Sequence, residues 1–248
     1  MSLSDAELER YARHIVLPQV GAVGQRKLKS AKVAVIGAGG IGSAVIPALA
    51  GAGVGRLTII DDDVVELANL HRQPLFRERD AGAAKAELAA AFARNLNSHA
   101  EVRPIQERIR PDNAQQLLGG HNLIVDGSDN FATRLAVSDA CVALGIPLIS
   151  AAAVQFQGQV ALFRRKPCYR CFVGDAFDAD DCDNCAELGV LGALTATVGS
   201  FAALLAINTI VGVGEDQAGQ VHLFDGEKLE LRSIRIPAEP ACRACGSA

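Results

Sequence analysis

Short apolar runs rich in β-branched residues alternate along the chain with longer stretches of helical periodicity, and together they lay out an α/β order. Ser4-Asp5-Ala6-Glu7 is a capping-box start, and Leu8, Tyr11, Ala12, Ile15 and Val16 share one helical face until Pro18. Arg10, Arg13 and His14 fall on another face, which by itself reads as solvated. A strand at Lys32–Ile36 runs into the turn Gly37-Ala-Gly-Gly-Ile-Gly42 and a helix to about Ala52, with Pro47 inside it expected to produce a kink. The next strand, Arg56–Ile60, ends in Asp61, Asp62 and Asp63. A loop over 64–80 carries Asn69, His71, Arg72 and Gln73, before a helix from about Ala83 to Asn97 with Lys85 in its first turn. After an alternating segment at Glu101–Arg108, the run Asn122–Asp126 leads into Gly127-Ser128-Asp129-Asn130, a helix through Cys141 and a strand at Pro147–Ala151. Strands alternating with helices in this way predict an open, doubly wound, mainly parallel sheet with helices on both faces.

The last third differs. Gln159–Arg165 alternates as a strand, a cysteine-bearing loop with an acidic stretch at Asp175–Asp183 follows, and Val221–Phe224 with Leu229–Ile236 reads as a terminal antiparallel hairpin. Between them, Leu188–Gly214 lacks any charge and is long enough to span a bilayer. It also carries Thr195, Thr197, Ser200, Asn208 and Thr209 and has no flanking basic residues, so within an α/β chain it reads as a buried helix. No repeat or linker divides the 248 residues, which suffice for one large core. The chain is expected to be a single domain over 1–248: a helical arm at 1–30, an alternating strand–helix core with the glycine turn at 31–152, and a cysteine-bearing region at 153–248.

Composition then narrows the chemistry. A net charge of −4 gives no whole-chain footprint for nucleic acid or an anionic membrane, so an anionic ligand must be met by local cations. Aromatic residues make up 4% and tryptophan is absent, while glycines number 24, so packing rests on small and aliphatic side chains with close backbone approach. Six of the seven cysteines form C-x-x-C pairs, Cys168/Cys171, Cys182/Cys185 and Cys242/Cys245, leaving Cys141 alone. The polar, acidic start is unlike a signal peptide, which makes a reducing cytoplasm the expected compartment and zinc ligation or redox chemistry the expected use of the pairs. Spacing permits zinc on Cys168/Cys171 with either of the other two pairs, since four thiolates suit a tetrahedral ion in both cases.

The glycine turn after a strand, with an acidic residue at the end of the next strand, fits a nucleotide whose phosphates meet a helix N-terminus and whose ribose meets Asp61. A dehydrogenase shares that unit. Arg72, Lys85 and Asp129 at neighbouring strand ends are instead what a triphosphate-sized, nucleotidyl-transfer site requires.

In sequence order, Arg10-Tyr11-x-Arg13, GAGGIG, LTIIDDDVVELANLHRQ over 57–73, Lys85, DGSDN, PLISAAAVQFQGQ, CYRC, CAELGVLGAL and CRAC resemble the ThiF/MoeB/HesA adenylyltransferases, relatives of ubiquitin-activating enzymes. The resemblance covers nearly the whole chain; DDD, the LFDG hairpin and SAAAVQFQGQ look closer to the thiamine-pathway branch than to the molybdopterin-pathway one. It implies a homodimer that uses ATP and Mg2+ to adenylate the C-terminal glycine of a ubiquitin-like sulfur carrier ending in Gly-Gly, with a cysteine desulfurase or another sulfur donor as a further partner. By resemblance, Gly37, Gly39, Gly40 and Gly42 approach the nucleotide together with Asp61, Asp63, Gln73 and Asn130. Asn69, Arg72 and Lys85 contact phosphates, Asp129 holds magnesium, and Arg13 reaches the partner subunit's site. The family places structural Zn2+ on the pairs matched by Cys168, Cys171, Cys242 and Cys245, and a covalent link to the carrier on the cysteine matched by Cys185. Cys182, Pro47 and Ala193, the last where many members have proline, depart from the family pattern.

A carrier's C-terminal carboxylate has a reference pKa of about 3.3–3.7, so it attacks already ionised and no general base is needed. Two other readings remain from the residues alone: a zinc-containing NAD(P)-dependent oxidoreductase, and a non-catalytic subunit that binds a ubiquitin-like protein.

Overall fold

The computed structural model describes residues 2–174 and 188–246. Five β-branched runs form parallel strands: β1 (Lys32–Ile36), β2 (Arg56–Ile60), β3 (Glu101–Ile105), β4 (Leu123–Asp126) and β5 (Leu148–Val154). Side chains alternate across a strand, so Val33, Val35, Leu57, Ile59 and Val125 enter one apolar layer while Ala34, Ile36, Ile60 and Ile124 enter the opposite one. Burial on both faces explains why β1, β2 and β4 are nearly continuous apolar runs, whereas β3 at the edge of the sheet exposes Glu101 and Arg103. Helices α4 (Gly42–Ala52) and α5 (Lys85–Leu96) cover the first face; α6 (Ala114–Leu118), α7 (Phe131–Leu144) and α8 (Tyr169–Val173) cover the second.

The sheet does not stop at β5. β6 (Gln157–Phe163), β7 (Gln220–Asp225) and β8 (Glu230–Arg235) continue it antiparallel, giving eight strands in the order β3-β2-β1-β4-β5-β6-β7-β8. The expected hairpin is therefore β7–β8, but it is hydrogen-bonded into the main sheet through β6. β6 begins two residues earlier than its alternation indicates, because Gln155 turns the chain with φ 52° and sets a tight β5–β6 register from Val154↔Gln157 onward.

The uncharged segment forms α9 (Gly192–Val211), long and apolar enough to cross a membrane. It lies instead on β5 and β6 and against α4, contributing Leu194, Val198, Ala202, Ala203 and Ala206 to the core, as the buried-helix expectation requires. Pro47 sits within α4, which is continuous from Gly42 to Ala52.

The amino-terminal arm departs from the single helix expected. It divides at Tyr11 into α1 (Asp5–Arg10) and α2 (Ala12–Ile15), and α3 (Gly21–Ser30) follows on a sequence too polar to signal it. Tyr11 is buried, and its hydroxyl accepts from Asn97 Nδ2 at 2.8 Å while the same nitrogen donates to Ala50 O at 2.7 Å. Gln25 donates to Ala52 O at 2.9 Å, so the arm is fastened to the ends of α4 and α5. The Ser4 capping box forms as read, and Glu7 reaches Lys29 at 2.7 Å. Burial alone would push the Glu7 carboxyl up, but Lys29 and the Ser4 N–H and hydroxyl lower it to about 2.

Candidate functional site

A cavity of about 730 Å³ opens at the carboxyl ends of β1, β2 and β4, where the strand order reverses between β1 and its neighbours. Open α/β sheets bind ligands at this kind of switch point. The turn leaving β1 begins at Gly37, whose φ is 85° and whose N–H donates to Ile60 O at 2.9 Å. Gly42 opens α4 so close to that turn that a Cβ would lie 2.1 Å from Gly37 O. It holds the turn from behind and does not line the cavity; Gly37, Gly39 and Gly40 do.

Asp61 stands at the end of β2 and accepts from the Ala38 N–H at 2.7 Å and the Asp63 N–H at 2.8 Å. Burial raises its pKa against the effect of those donors and of Lys85. Lys85, the first residue of α5, is buried, and its Nζ donates to Asp63 Oδ2 at 2.9 Å. Arg72 and Gln73 come from the 64–80 loop onto the cavity wall; Gln73 is buried and its Oε1 has no hydrogen-bond partner among the described residues. That orphan acceptor, facing a polar cavity, is what an unfilled donor position looks like. Asp129 lines the cavity beyond β4 without a hydrogen bond or ion pair among the described residues, and Asn130 caps α7 by accepting from the Thr133 N–H.

Sequence reasoning missed Arg134. It is buried one turn into α7, where its position reads as an ordinary helix-surface arginine. Its guanidinium donates to Ser128 O, to Ala151 O at 3.0 Å and to Ser150 Oγ at 3.4 Å, fastening the Asp129 loop to β5. It also lowers the neighbouring Asp126 carboxyl, which burial pushes upward overall and whose Oδ2 has no partner among the described residues. Thr195 is a second missed wall residue: Gly192 lets α9 start against the Arg72 loop, since a Cβ there would meet His71 O at 2.3 Å.

Two expected ligands lie off the cavity wall. Asn69 turns its amide to Glu66 Oε2 at 3.1 Å, and Arg13 is exposed on α2, away from the cavity of its own chain. Cys182 and Cys185 are outside the described residues.

Cys168, Cys171, Cys242 and Cys245 converge so that all four sulfurs lie within 4.8 Å of one another. The Sγ separations are 4.0 Å for Cys168–Cys171, 3.6 Å for Cys168–Cys242 and 3.4 Å for Cys171–Cys245. Tetrahedral thiolates at a zinc–sulfur distance of about 2.3 Å stand about 3.8 Å apart, whereas a disulfide would need about 2.05 Å. The donor set therefore fits zinc, and the Glu239 N–H donates to Cys171 Sγ at 3.5 Å as it would to a thiolate. Of the two pairings that spacing permits, the fold assembles the one that ties the tail to α8.

A doubly wound sheet with this glycine turn, a strand-end carboxylate and convergent phosphate-type donors defines a nucleotide-binding α/β protein with a cysteine-fastened tail. The chain belongs to the ThiF family, whose model matches residues 11–244. It is 40% identical to the SAMP-activating enzyme E1 of Haloferax volcanii over 99% of this chain and 92% of that protein. It is 42% identical to the sulfur carrier protein adenylyltransferase of Thermus thermophilus over 99% of this chain and 93% of that protein. Among solved structures, E. coli MccB with AMPCPP and MccA matches with a TM-score of 0.84 and 26% identity, covering 97% of this chain and 74% of that one.

Proposed function

We propose that this chain uses ATP to adenylate the C-terminal glycine of a ubiquitin-like sulfur carrier ending in Gly-Gly, in thiamine, molybdopterin or a related sulfur-transfer pathway. One observation carries the reading. The cavity that gathers the glycine turn, Asp61, Arg72, Lys85 and Asp129 continues along the antiparallel strands past Ala152, Gln159 and Leu223, leaving room beyond a nucleotide for an extended peptide. The adenylyltransferase relative from Thermus thermophilus and the MccB structure with a nucleotide analogue and MccA support it.

The reaction needs alignment and charge neutralisation. A carboxylate ionised at neutral pH attacks the α-phosphorus, the bond to the bridging oxygen breaks, and pyrophosphate leaves. Asp61 accepts hydrogen bonds from the ribose, and the N–H groups around Gly39 and Gly40 approach the phosphates. Arg72 and Lys85 stabilise the charge that grows on the leaving group, with Gln73 and Asn130 beside them. Lys85 is held ready by Asp63. Asp129 would hold Mg2+, whose charge would supply further neutralisation of the phosphates. Asn69 supports the Arg72 loop through its backbone, since its O accepts from the Arg72 and Gln73 N–H groups at 3.1 Å.

Exposed Arg13 stands on an arm fastened to the core and flanked by exposed Val16, Leu17 and Val23. The arm would enter a second subunit, where Arg13 supplies the remaining cation. Zn2+ on the four converging cysteines would be structural, in a reducing cytoplasm. Cys185 would then attack the acyl-adenylate, releasing AMP and forming a thioester for a sulfur donor to open. The residues 1–248 act in this reading as one adenylation domain.

Carrier-stimulated exchange of labelled pyrophosphate into ATP, under magnesium and with a panel of carriers ending in Gly-Gly, tests the reading. Exchange is expected with at least one carrier and not with the same carrier lacking its terminal glycine. Exchange that ignores the carrier would overturn it.

A further inference from the structure

The cavity reaches well past its nucleotide end. One cross-strand row, Ala152 on β5, Gln159 on β6, Leu223 on β7 and Arg232 on β8, is joined in register, and all four residues line the cavity. Neighbouring strands stand about 4.8 Å apart, so three steps put the Arg232 backbone roughly 14 Å from that of Ala152. An extended peptide advances about 3.3 Å per residue and covers that distance in about four residues.

Arg232 differs from the other arginines on the cavity wall. Arg72 meets His71, Arg108 pairs with Asp62 at 3.0 Å, and Arg134 is held by Ser128, Ser150 and Ala151. Arg232 has no hydrogen bond or ion pair among the described residues. The acids nearest it in register do not pair with it: Asp225 accepts from the Glu227 and Lys228 N–H groups at 3.1 Å, and Glu230 is exposed. A cation on an edge strand, facing into a cavity and left uncompensated, is placed to meet an anion that the ligand brings.

We propose that Arg232 is a specificity-determining residue that pairs with an acidic side chain in the carrier's C-terminal tail, three to five residues before the terminal glycine. The inference rests on the adenylation reading, because that reading fixes where the tail ends. Arg232 touches neither the nucleotide nor the reacting carboxylate, so its effect belongs to carrier binding. An arginine opposite an acid also excludes carriers with a basic residue at the same place, and this separates one Gly-Gly protein from another.

The experiment uses the full chain and a carrier that supports pyrophosphate exchange, with single Asp or Glu→Lys substitutions across the six residues before its Gly-Gly. Arg232→Glu should raise the KM for the unaltered carrier about tenfold while the KM for ATP and kcat at saturating carrier stay unchanged. One lysine-substituted carrier, and only one, should be poor with the parent enzyme and restored with Arg232→Glu. An unchanged carrier KM, an equal rise in the KM for ATP, or the lack of any such reversal would overturn the proposal. Failure of every carrier to support exchange would overturn the adenylation reading instead, so the two failures are distinguishable.

Discussion

Lys85 shows how a single residue combines structure and chemistry. It is buried at 3% exposure and its Nζ donates to Asp63 Oδ2 at 2.9 Å, so the burial is compensated by an acceptor at the edge of the cavity. In the proposed reaction, replacing Lys85 with alanine would remove a donor to the leaving group. Exchange should fall at least about a hundredfold, as steady-state pyrophosphate exchange would register. Arg134→Ala acts differently, since it strips a buried donor from Ala151 O and Ser150 Oγ and leaves Asp126 without its cation. Urea unfolding should show a loss of about 1–3 kcal/mol, and Arg134→Lys should recover little of it because an ammonium cannot reproduce the fork. The cavity residues in the glycine turn, at Asp61 and at Asp129 were legible because backbone geometry or strand ends demand those types. Arg134 was not, because nothing in FATRLAV distinguishes a guanidinium facing β5 from one facing water.

At the scale of elements, the central parallel strands were readable because double-sided burial makes nearly continuous apolar runs, while β3 at the edge showed only alternation. The short helices α6 and α8 were not readable: five residues give barely more than a turn and carry no periodic signal. The start of β6 was missed because Gln155 makes its turn with no Gly or Pro to mark it. Gly42→Ala would drive a Cβ into Gly37 O, so nucleotide binding and stability should fall together in a thermal-shift titration with ATP. The Glu7–Lys29 clamp sets an acid limit on the arm. The Glu7 pKa is lowered from 4.5 to about 2, so its contribution is complete above about pH 4.5 and is lost as pH falls toward 2. Glu7→Gln should cost on the order of 2 kcal/mol at pH 7 and almost nothing near pH 2, read from denaturation midpoints across that range.

The whole molecule is a sheet whose parallel half carries the proposed nucleotide end of the cavity and whose antiparallel half extends the same cavity. The four-cysteine cluster fastens the tail to α8, and if it holds the proposed zinc, chelation should release about one zinc per chain and lower the melting temperature; Cys185→Ala should do neither. The proposed entry of exposed Arg13 into a second subunit would make assembly part of the site. Mixing inactive Arg13→Ala with inactive Lys85→Ala chains should restore about a quarter of the sites, because half of randomly paired dimers hold one complete site. Separate subunits that need no partner would give no recovery. The most direct test of the central claim is the intact mass of a Gly-Gly carrier after incubation with the enzyme, ATP and magnesium, without a sulfur donor. The account predicts a carrier heavier by one adenylyl group at its terminal glycine, formed by the parent enzyme and by Cys185→Ala but not by Lys85→Ala. An unmodified carrier alongside bound ATP, or a modification that survives Lys85→Ala, would contradict it.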